Sequence, residues 1–186
     1  PFDHPLYILF SSGTTGAPKC IVHGVGGVTL QHAKELRLHS DVRPEDRLFF
    51  FTTCGWMMWN WVVSGLMVGT PVILYEGNPF HPGPDRLWQM AEVERLTHMG
   101  VSAKYVDAVR NAGYLPGQNV DLSALRMIMS TGSPLSAEAF EFIYRDVSPS
   151  LQLCSISGGT DLISCFVLGT PTQPVHAGEI QSRGLG

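Results

Sequence analysis

Residues 11–19 read Ser-Ser-Gly-Thr-Thr-Gly-Ala-Pro-Lys, so hydroxyls at Ser11, Ser12, Thr14 and Thr15, glycines at Gly13 and Gly16 and an ammonium at Lys19 follow one another closely. Glycines let a backbone turn until its N–H groups point into one concavity, hydroxyls add donors, and a lysine adds a point charge. Together these groups suit a polyphosphate. The spacing is not that of a Walker A loop, which needs G-x-x-x-x-G-K-[ST]. The plain alternative is a flexible Ser/Gly linker. Against it, the run sits directly behind the apolar segment 6–10 and ends in Pro18-Lys19. A second cluster, Ser157-Gly158-Gly159-Thr160-Asp161, taken alone reads as a glycine turn at a strand end. A third, Gly132-Ser133-Pro134-Leu135, follows another apolar run, and Trp56, Met57, Met58, Trp59 and Trp61 crowd one short stretch. For Trp59 and Trp61 ordinary core packing is the preferred reading.

Short apolar runs suited to buried strands alternate with longer helical patterns, which predicts an α/β fold, a parallel or mixed sheet with covering helices. Strands are expected at residues 6–10, 48–52, 71–75, 125–130 and 151–156, and helices at 28–39, 57–68, 85–98 and 137–145. In the third helix Leu87, Met90, Ala91, Glu94 and Leu96 form a mostly apolar face. Ser136 is placed to cap the fourth, and Glu138 favours its positive end. The hydroxyl- and glycine-rich clusters then fall in loops at the carboxyl ends of strands, where open α/β sheets bind ligands. The Pro/Gly-rich stretch 77–84 is too short for a domain linker and reads as a surface loop.

Charged residues make up 15% of the chain and hydrophobic residues 44%. An average soluble domain carries about 25% charge. So little charge leaves little free surface, and much of the chain is expected to lie inside a larger molecule. The start at Pro1-Phe2-Asp3 and the stop at Gly184-Leu185-Gly186 fit internal points of a longer chain. The net charge of −4, without a Lys/Arg cluster, argues against a nucleic-acid partner. Cys20, Cys54, Cys154 and Cys165 form no C-x-x-C pair, and the seven histidines show no metal-ligand spacing. Free thiols in a reducing compartment are expected, hence a cytoplasmic (cytosolic) protein. No charge occurs from residue 48 to residue 75, long enough to cross a bilayer. Gly55, Gly65, Gly69 and Pro71 interrupt that run and Thr52, Thr53, Asn60 and Ser64 are polar, so strand, turn, helix and strand are expected and no membrane span.

The run 10–19 resembles the phosphate-binding motif of the adenylate-forming enzymes, the superfamily of acyl-CoA synthetases, luciferases and peptide-synthetase adenylation domains. His23 matches the usual continuation of that motif. Gly55-Trp56, Gly132-Ser133-Pro134-Leu135, Gly158-Gly159-Thr160-Asp161 and Gly178-Glu179 match further motifs in the right order. Within the superfamily, the segments 51–61, 130–135 and 155–161 are similar to the acetoacetyl-CoA synthetases. The resemblance implies that Ser11, Ser12, Gly13, Thr14, Thr15, Gly16 and Lys19 surround the ATP phosphates, with Thr14 and Thr15 at the β- and γ-phosphates. It implies Gly132, Ser133 and Pro134 against adenine, with Gly158 and Gly159 in the same nucleotide site, and Thr160 at the α-phosphate. Asp161 stands where the family has a glutamate associated with Mg²⁺; its shorter side chain favours ligation through water. Ser157 stands where the family has a tyrosine, which removes an aromatic ring from the adenine side.

Trp56, Met57, Met58, Thr131 and Gly158 match acyl-pocket positions, Gly158 replacing a tryptophan that closes the pocket in acetyl-CoA synthetases. The resemblance further implies a partial AMP-binding domain over residues 1–186, the large N-terminal domain of such an enzyme. ATP, Mg²⁺, CoA and acetoacetate would be its small-molecule partners. A mobile C-terminal domain that supplies a catalytic lysine lies outside this sequence, so the chain alone is expected to be inactive. A synthetase for another short acyl group, or a non-catalytic nucleotide-binding module, stands as the alternative.

Overall fold

The computed structural model describes residues 1–11 and 16–186. The expectations for Ser12, Gly13, Thr14 and Thr15 therefore fall outside the described residues. The centre is a parallel sheet of β3 (Leu48–Phe50), β4 (Val72–Ile73), β5 (His98–Ser102), β6 (Met127–Thr131) and β7 (Gln152–Ser155), in the order β4-β3-β5-β6-β7. Its strands are short and, apart from the half-buried edge strand β4, largely buried on both faces, and their side chains divide by alternation. Phe49, Met99, Val101, Ile128 and Leu153 face a core shared with α3 (Arg86–Val93), α4 (Ala103–Asn111) and α6 (Ala137–Phe142). Leu48, Phe50, Met127, Met129 and Cys154 face a second core with α1 (Val25–Lys34) and α2 (Met57–Val63). The short helix α5 (Pro116–Asn119) lies between α4 and β6 in the chain. The α/β expectation of a sheet with covering helices is what the chain forms.

Two smaller antiparallel sheets complete the frame. The strands β1 (Pro5–Ser11) and β2 (Lys19–Gly24) pair as a hairpin, and β8 (Ser157–Gly159), β9 (Ser164–Leu168) and β10 (Ser182–Arg183) form a sheet in the order β10-β9-β8.

Several boundaries differ from the sequence expectation. The first helix begins at Val25, three residues early, and its last turn, Glu35–His39, widens into a π turn. After α2 the segment Ser64–Val68 tightens to a 3₁₀ turn that ends at Gly69 in the left-handed region. The helix expected to reach residue 98 stops at Val93, Arg95 turns with φ 48°, and His98 opens β5, the strand at the middle of the sheet. Helical spacing of apolar residues through Leu96 concealed that break. Gly100 weakened the strand signal, yet a Cβ there would overlap the Phe50 ring. Ser136 caps α6 as expected, its hydroxyl accepting from Ala139 N at 3.3 Å. Among the described residues no helix is long and apolar enough to cross a membrane; the uncharged stretch 48–75 resolves into β3, a loop, α2, the 3₁₀ turn and β4.

Candidate active site

A cleft of about 460 Å³ opens where β6 and β7 end and the start of α2 meets β8 and β9. That size lies within the roughly 300–1,000 Å³ of small-molecule sites. Trp56, Met57, Met58, Thr131, Gly132, Ser133, Pro134, Gly158, Gly159 and Thr160 all line it, residues spread over more than half of the chain. Gly132 follows β6 at φ 90°, a conformation few side chains tolerate, and a Cβ on it would meet Trp56 at 3.9 Å. The Trp56 ring also packs edge-on to Phe50, centroids 5.9 Å apart. Met57 and Met58 are buried at the start of α2. The Thr131 hydroxyl donates to the Ile156 carbonyl at 2.9 Å, so its proton is already committed.

The wall also includes Leu135, Ser155, Ile156, Ser157, Ser164, Cys165, Gly178 and Ile180. Of these, Leu135, Ser155, Ile156, Ser157 and Gly178 fall within segments legible in the sequence, whereas Ser164, Cys165 and Ile180 gave no signal, since nothing distinguishes an apolar or small strand residue that faces a cleft from one that faces a core. Burial raises the Cys165 thiol well above its ordinary range and pushes Cys154 up to about 12. Neither thiol is poised as a nucleophile.

Gly158 meets the cleft through its backbone. It lies in β8 opposite Cys165, and a Cβ would overlap the Ser164 carbonyl oxygen and come within 2.9 Å of Cys165 Cα. A ring placed there would first collide with β9, so the simple view of Gly158 as a position whose side chain fills or empties the pocket needs correction.

Between β8 and β9 the chain turns through residues 160–163, with Ile163 N donating back to the Thr160 carbonyl at 3.3 Å. Ile163 takes φ 51°, unusual for a β-branched residue and costing about 1–3 kcal/mol. Side chains from the N-terminal part of the chain hold this turn. His23 Nε2, on β2, donates to the Thr160 carbonyl at 2.8 Å, and His32 Nε2, on α1, donates to the Ile163 carbonyl at 2.7 Å. Glu35 Oε1 accepts from Cys165 N at 3.0 Å and from the Ser164 hydroxyl, while its Oε2 accepts from Trp61 Nε1 at 2.9 Å. Burial lowers the His32 pKa, which favours the neutral ring with its proton on Nε2. Neither His32 nor Glu35 was singled out from the sequence; the signal available was that Gln31 and His32 precede Glu35 by four and three residues, which sets all three on one side of the helix.

Ser11 and Lys19 face each other across the β1–β2 pairing; Gly16 and Lys19 are exposed. These residues do not line the cleft, although His23 ties the same hairpin to Thr160. Asp161 is exposed beside Thr160. Among the described residues no group of three or more His, Cys, Asp or Glu could hold a metal ion. A single exposed carboxylate fits a Mg²⁺ held mainly by substrate phosphates and water, and does not fit a metal caged by protein ligands.

A model of the family described as "AMP-binding enzyme" matches residues 1–182. The chain is 61% identical over its whole length to the acetoacetyl-coenzyme A synthetase of Rhizobium meliloti (strain 1021), and spans 29% of that protein. It is 48% identical to malonamoyl-CoA synthetase vrtB of Penicillium aethiopicum, of which it spans 28%. Among solved structures, the acetoacetyl-CoA synthetase from Streptomyces lividans superposes with a TM-score of 0.94 at 49% identity, over all of this chain and 29% of that one. The match of the family model to nearly every residue, and the gathering of the motif residues Gly132, Ser133, Pro134, Gly158, Gly159 and Thr160 around one cleft, show that the chain belongs to the AMP-binding enzyme family.

Proposed function

We propose that this chain carries the nucleotide and acyl cleft of an ATP-dependent ligase that joins acetoacetate to CoA. A carboxylate oxygen of acetoacetate attacks the α-phosphorus of ATP, the bond to pyrophosphate breaks, and acetoacetyl-adenylate forms. The sulfur of CoA then attacks the acyl carbon and AMP leaves with the electron pair. Neither step needs a protein nucleophile, in keeping with the raised thiols of Cys154 and Cys165. The work of the protein is to hold groups in line and to stabilise charge as it moves across the phosphates. In this reading Gly132, Ser133 and Pro134 lie against adenine, and Gly158 and Gly159 shape the nucleotide side of the cleft. The Thr160 hydroxyl donates to the α-phosphate, and Lys19 with the loop 11–16 meets the terminal phosphates. Mg²⁺, bound with the triphosphate, would neutralise part of its charge, with Asp161 holding one of the ion's waters. Residues 1–186 then form part of a larger AMP-binding domain, and a mobile C-terminal domain supplies the adenylation lysine. The unpaired thiols Cys20, Cys54, Cys154 and Cys165 fit a reducing, cytosolic setting.

The observation that carries the proposal is the cleft itself, which brings the motif residues for nucleotide and acyl group to one place. The test is acid-dependent exchange of pyrophosphate into ATP by the full-length protein. Exchange driven by acetoacetate, followed by CoA-dependent release of AMP, is expected; a protein that exchanges only with another acid would overturn the substrate assignment.

A second substrate is suggested by the 48% identical malonamoyl-CoA synthetase. Malonamate has the shape of acetoacetate with an amide NH₂ in place of the methyl. Met57 and Met58 make an apolar wall, while the Thr131 oxygen, its proton given to the Ile156 carbonyl, keeps lone pairs that can accept. An NH₂ turned to the methionine wall is left without an acceptor and loses about 1–3 kcal/mol, which in that orientation favours acetoacetate roughly five- to 150-fold in kcat/KM. Equal use of the two acids would show that the NH₂ finds an acceptor in the pocket.

A further inference from the structure

We propose that His32 and Glu35 are positioning residues for adenylyl transfer, holding residues 160–165 from beneath so that Thr160 keeps its place at the edge of the cleft. The inference rests on the reading of that cleft as an adenylating site. Both side chains are fully buried, at 0% exposure, and neither lines the cleft. What they grip is the peptide chain that carries Thr160. His32 takes the Ile163 carbonyl, and Glu35 takes the amide of Cys165 and the hydroxyl of Ser164. The turn is therefore fastened at residues 163, 164 and 165, immediately after the residues proposed to meet the phosphates.

Ile163 shows why fastening is needed. A β-branched residue at φ 51° does not rest in that conformation unless its surroundings impose it. Its side chain is buried in the core that contains Val28, Leu36 and Trp61, and its carbonyl is directed to His32. If either restraint is lost the turn can relax toward a commoner backbone shape, and Thr160 moves with it.

The support continues outward. Ser64 Oγ lies 2.8 Å from His32 Nδ1 and fixes the ring plane, and Trp61 Nε1 anchors the other oxygen of Glu35. A fully buried carboxylate is a poor source of stability compared with an apolar residue of similar volume. Its value here is directional, since two oxygens accept from α2 and β9 at once and set the distance between them. The π turn that begins at Glu35 belongs to the same device, because it places the carboxylate at the end of α1 where both elements are within reach. A group displaced by about 1 Å from its productive position can lower turnover about a hundredfold.

The test uses the full-length protein and compares wild type, His32→Leu, His32→Gln and Glu35→Gln in two half-reactions. These are pyrophosphate exchange for adenylation, and CoA transfer from supplied acetoacetyl-adenylate. Wild-type exchange with acetoacetate is the control: its absence would remove the underlying reading rather than this one. His32→Leu is expected to lower kcat for exchange about tenfold or more with KM for ATP changed less than about threefold, the split expected of lost positioning. His32→Gln keeps an N–H near Nε2 and should recover most of the rate. Glu35→Gln, which turns an NH₂ toward Cys165 N or Trp61 Nε1, should show the same kcat loss. CoA transfer should fall much less in every variant. If His32→Leu does not fold, the two glutamine variants decide the matter. Folded variants with wild-type exchange would overturn the proposal, as would equal losses in both half-reactions with a raised KM and no recovery in His32→Gln.

Discussion

Lys19 stands opposite Ser11 across the β1–β2 pairing, exposed and on the strand that also carries His23 to Thr160. If its ammonium meets a phosphate, Lys19→Ala removes a charge-assisted contact of about 1.5–3 kcal/mol and should slow pyrophosphate exchange by roughly ten- to a hundredfold. Unchanged exchange would place the triphosphate elsewhere. At Gly158 the structure changes the expectation that sequence alone supports. A glycine where the resemblance implies the tryptophan of acetyl-CoA synthetases invites the view that a missing ring leaves a larger pocket, but the direction of its Cβ lies in no sequence pattern and here points into β9. Gly158→Ala should therefore act as an overpacking substitution, costing about 1–3 kcal/mol of stability before any change of acyl preference is read. An alanine variant with an unchanged thermal midpoint would show that β8 and β9 part without strain. Substrate preference is better examined from Met57, a buried residue that lines the cleft. Met57→Ala should raise kcat/KM for a longer 3-oxo acid relative to acetoacetate about tenfold, since each methylene in an apolar pocket is worth about 1–3 kcal/mol. A ratio that stays put would remove Met57 from the acyl wall.

Elements set how much of this was legible. Strands β1, β6 and β7 and the cores of α1, α2, α3 and α6 follow from apolar runs, periodicity and a serine cap, and they suffice to place the glycine and hydroxyl clusters at strand ends. The strands β2, β5, β8 and β9 were not legible, each for a physical reason. Strand β5 contains a histidine and a glycine because His98 bonds to the Ser40 carbonyl at 2.8 Å and Gly100 yields to the Phe50 ring, both long-range demands. Strand β8 is glycine-rich because β9 approaches its backbone closely. His98 on β5 and His32 on α1 share a further property: burial lowers both pKa values below 6.5. The folded state then binds fewer protons than the unfolded one as pH falls below about 6.5, so the stabilisation is complete above that value and is lost on acidification. With two such groups the slope reaches at most about 2.7 kcal/mol per pH unit. Thermal midpoints of the full-length protein should fall between pH 7 and pH 5.5, above the range where carboxylates titrate, and fall less in His98→Gln. A flat profile would mean that both rings take up protons inside the fold.

For the molecule as a whole, a charged share of 15% and the exposure of Phe2, Leu6, Ile8, Phe10 and Val22 have one explanation in common. The hairpin presents Leu6, Ile8 and Phe10 outward while Tyr7 and Leu9 pack inward, so it is apolar on both faces. Such a face calls for cover, which the remainder of a protein as long as its relatives would provide. The 186-residue chain by itself should therefore self-associate and show no acetoacetyl-CoA formation; a monodisperse, cooperatively melting monomer, or turnover by it, would contradict this. The grip of Glu35 on Ser164 and Cys165 has a further consequence, for the order of events during synthesis. The bonded groups are 129 and 130 residues apart, and at 5–20 residues per second a ribosome needs roughly 7 to 26 s to make that length. Throughout that interval the carboxylate has been made and its β9 partners do not exist. Burial of α1 against α2 in a nascent chain would leave a charge half-satisfied, so this helix is held back from docking until the strand that receives it has been made, and chains arrested before residue 164 should be the ones that chaperones retain.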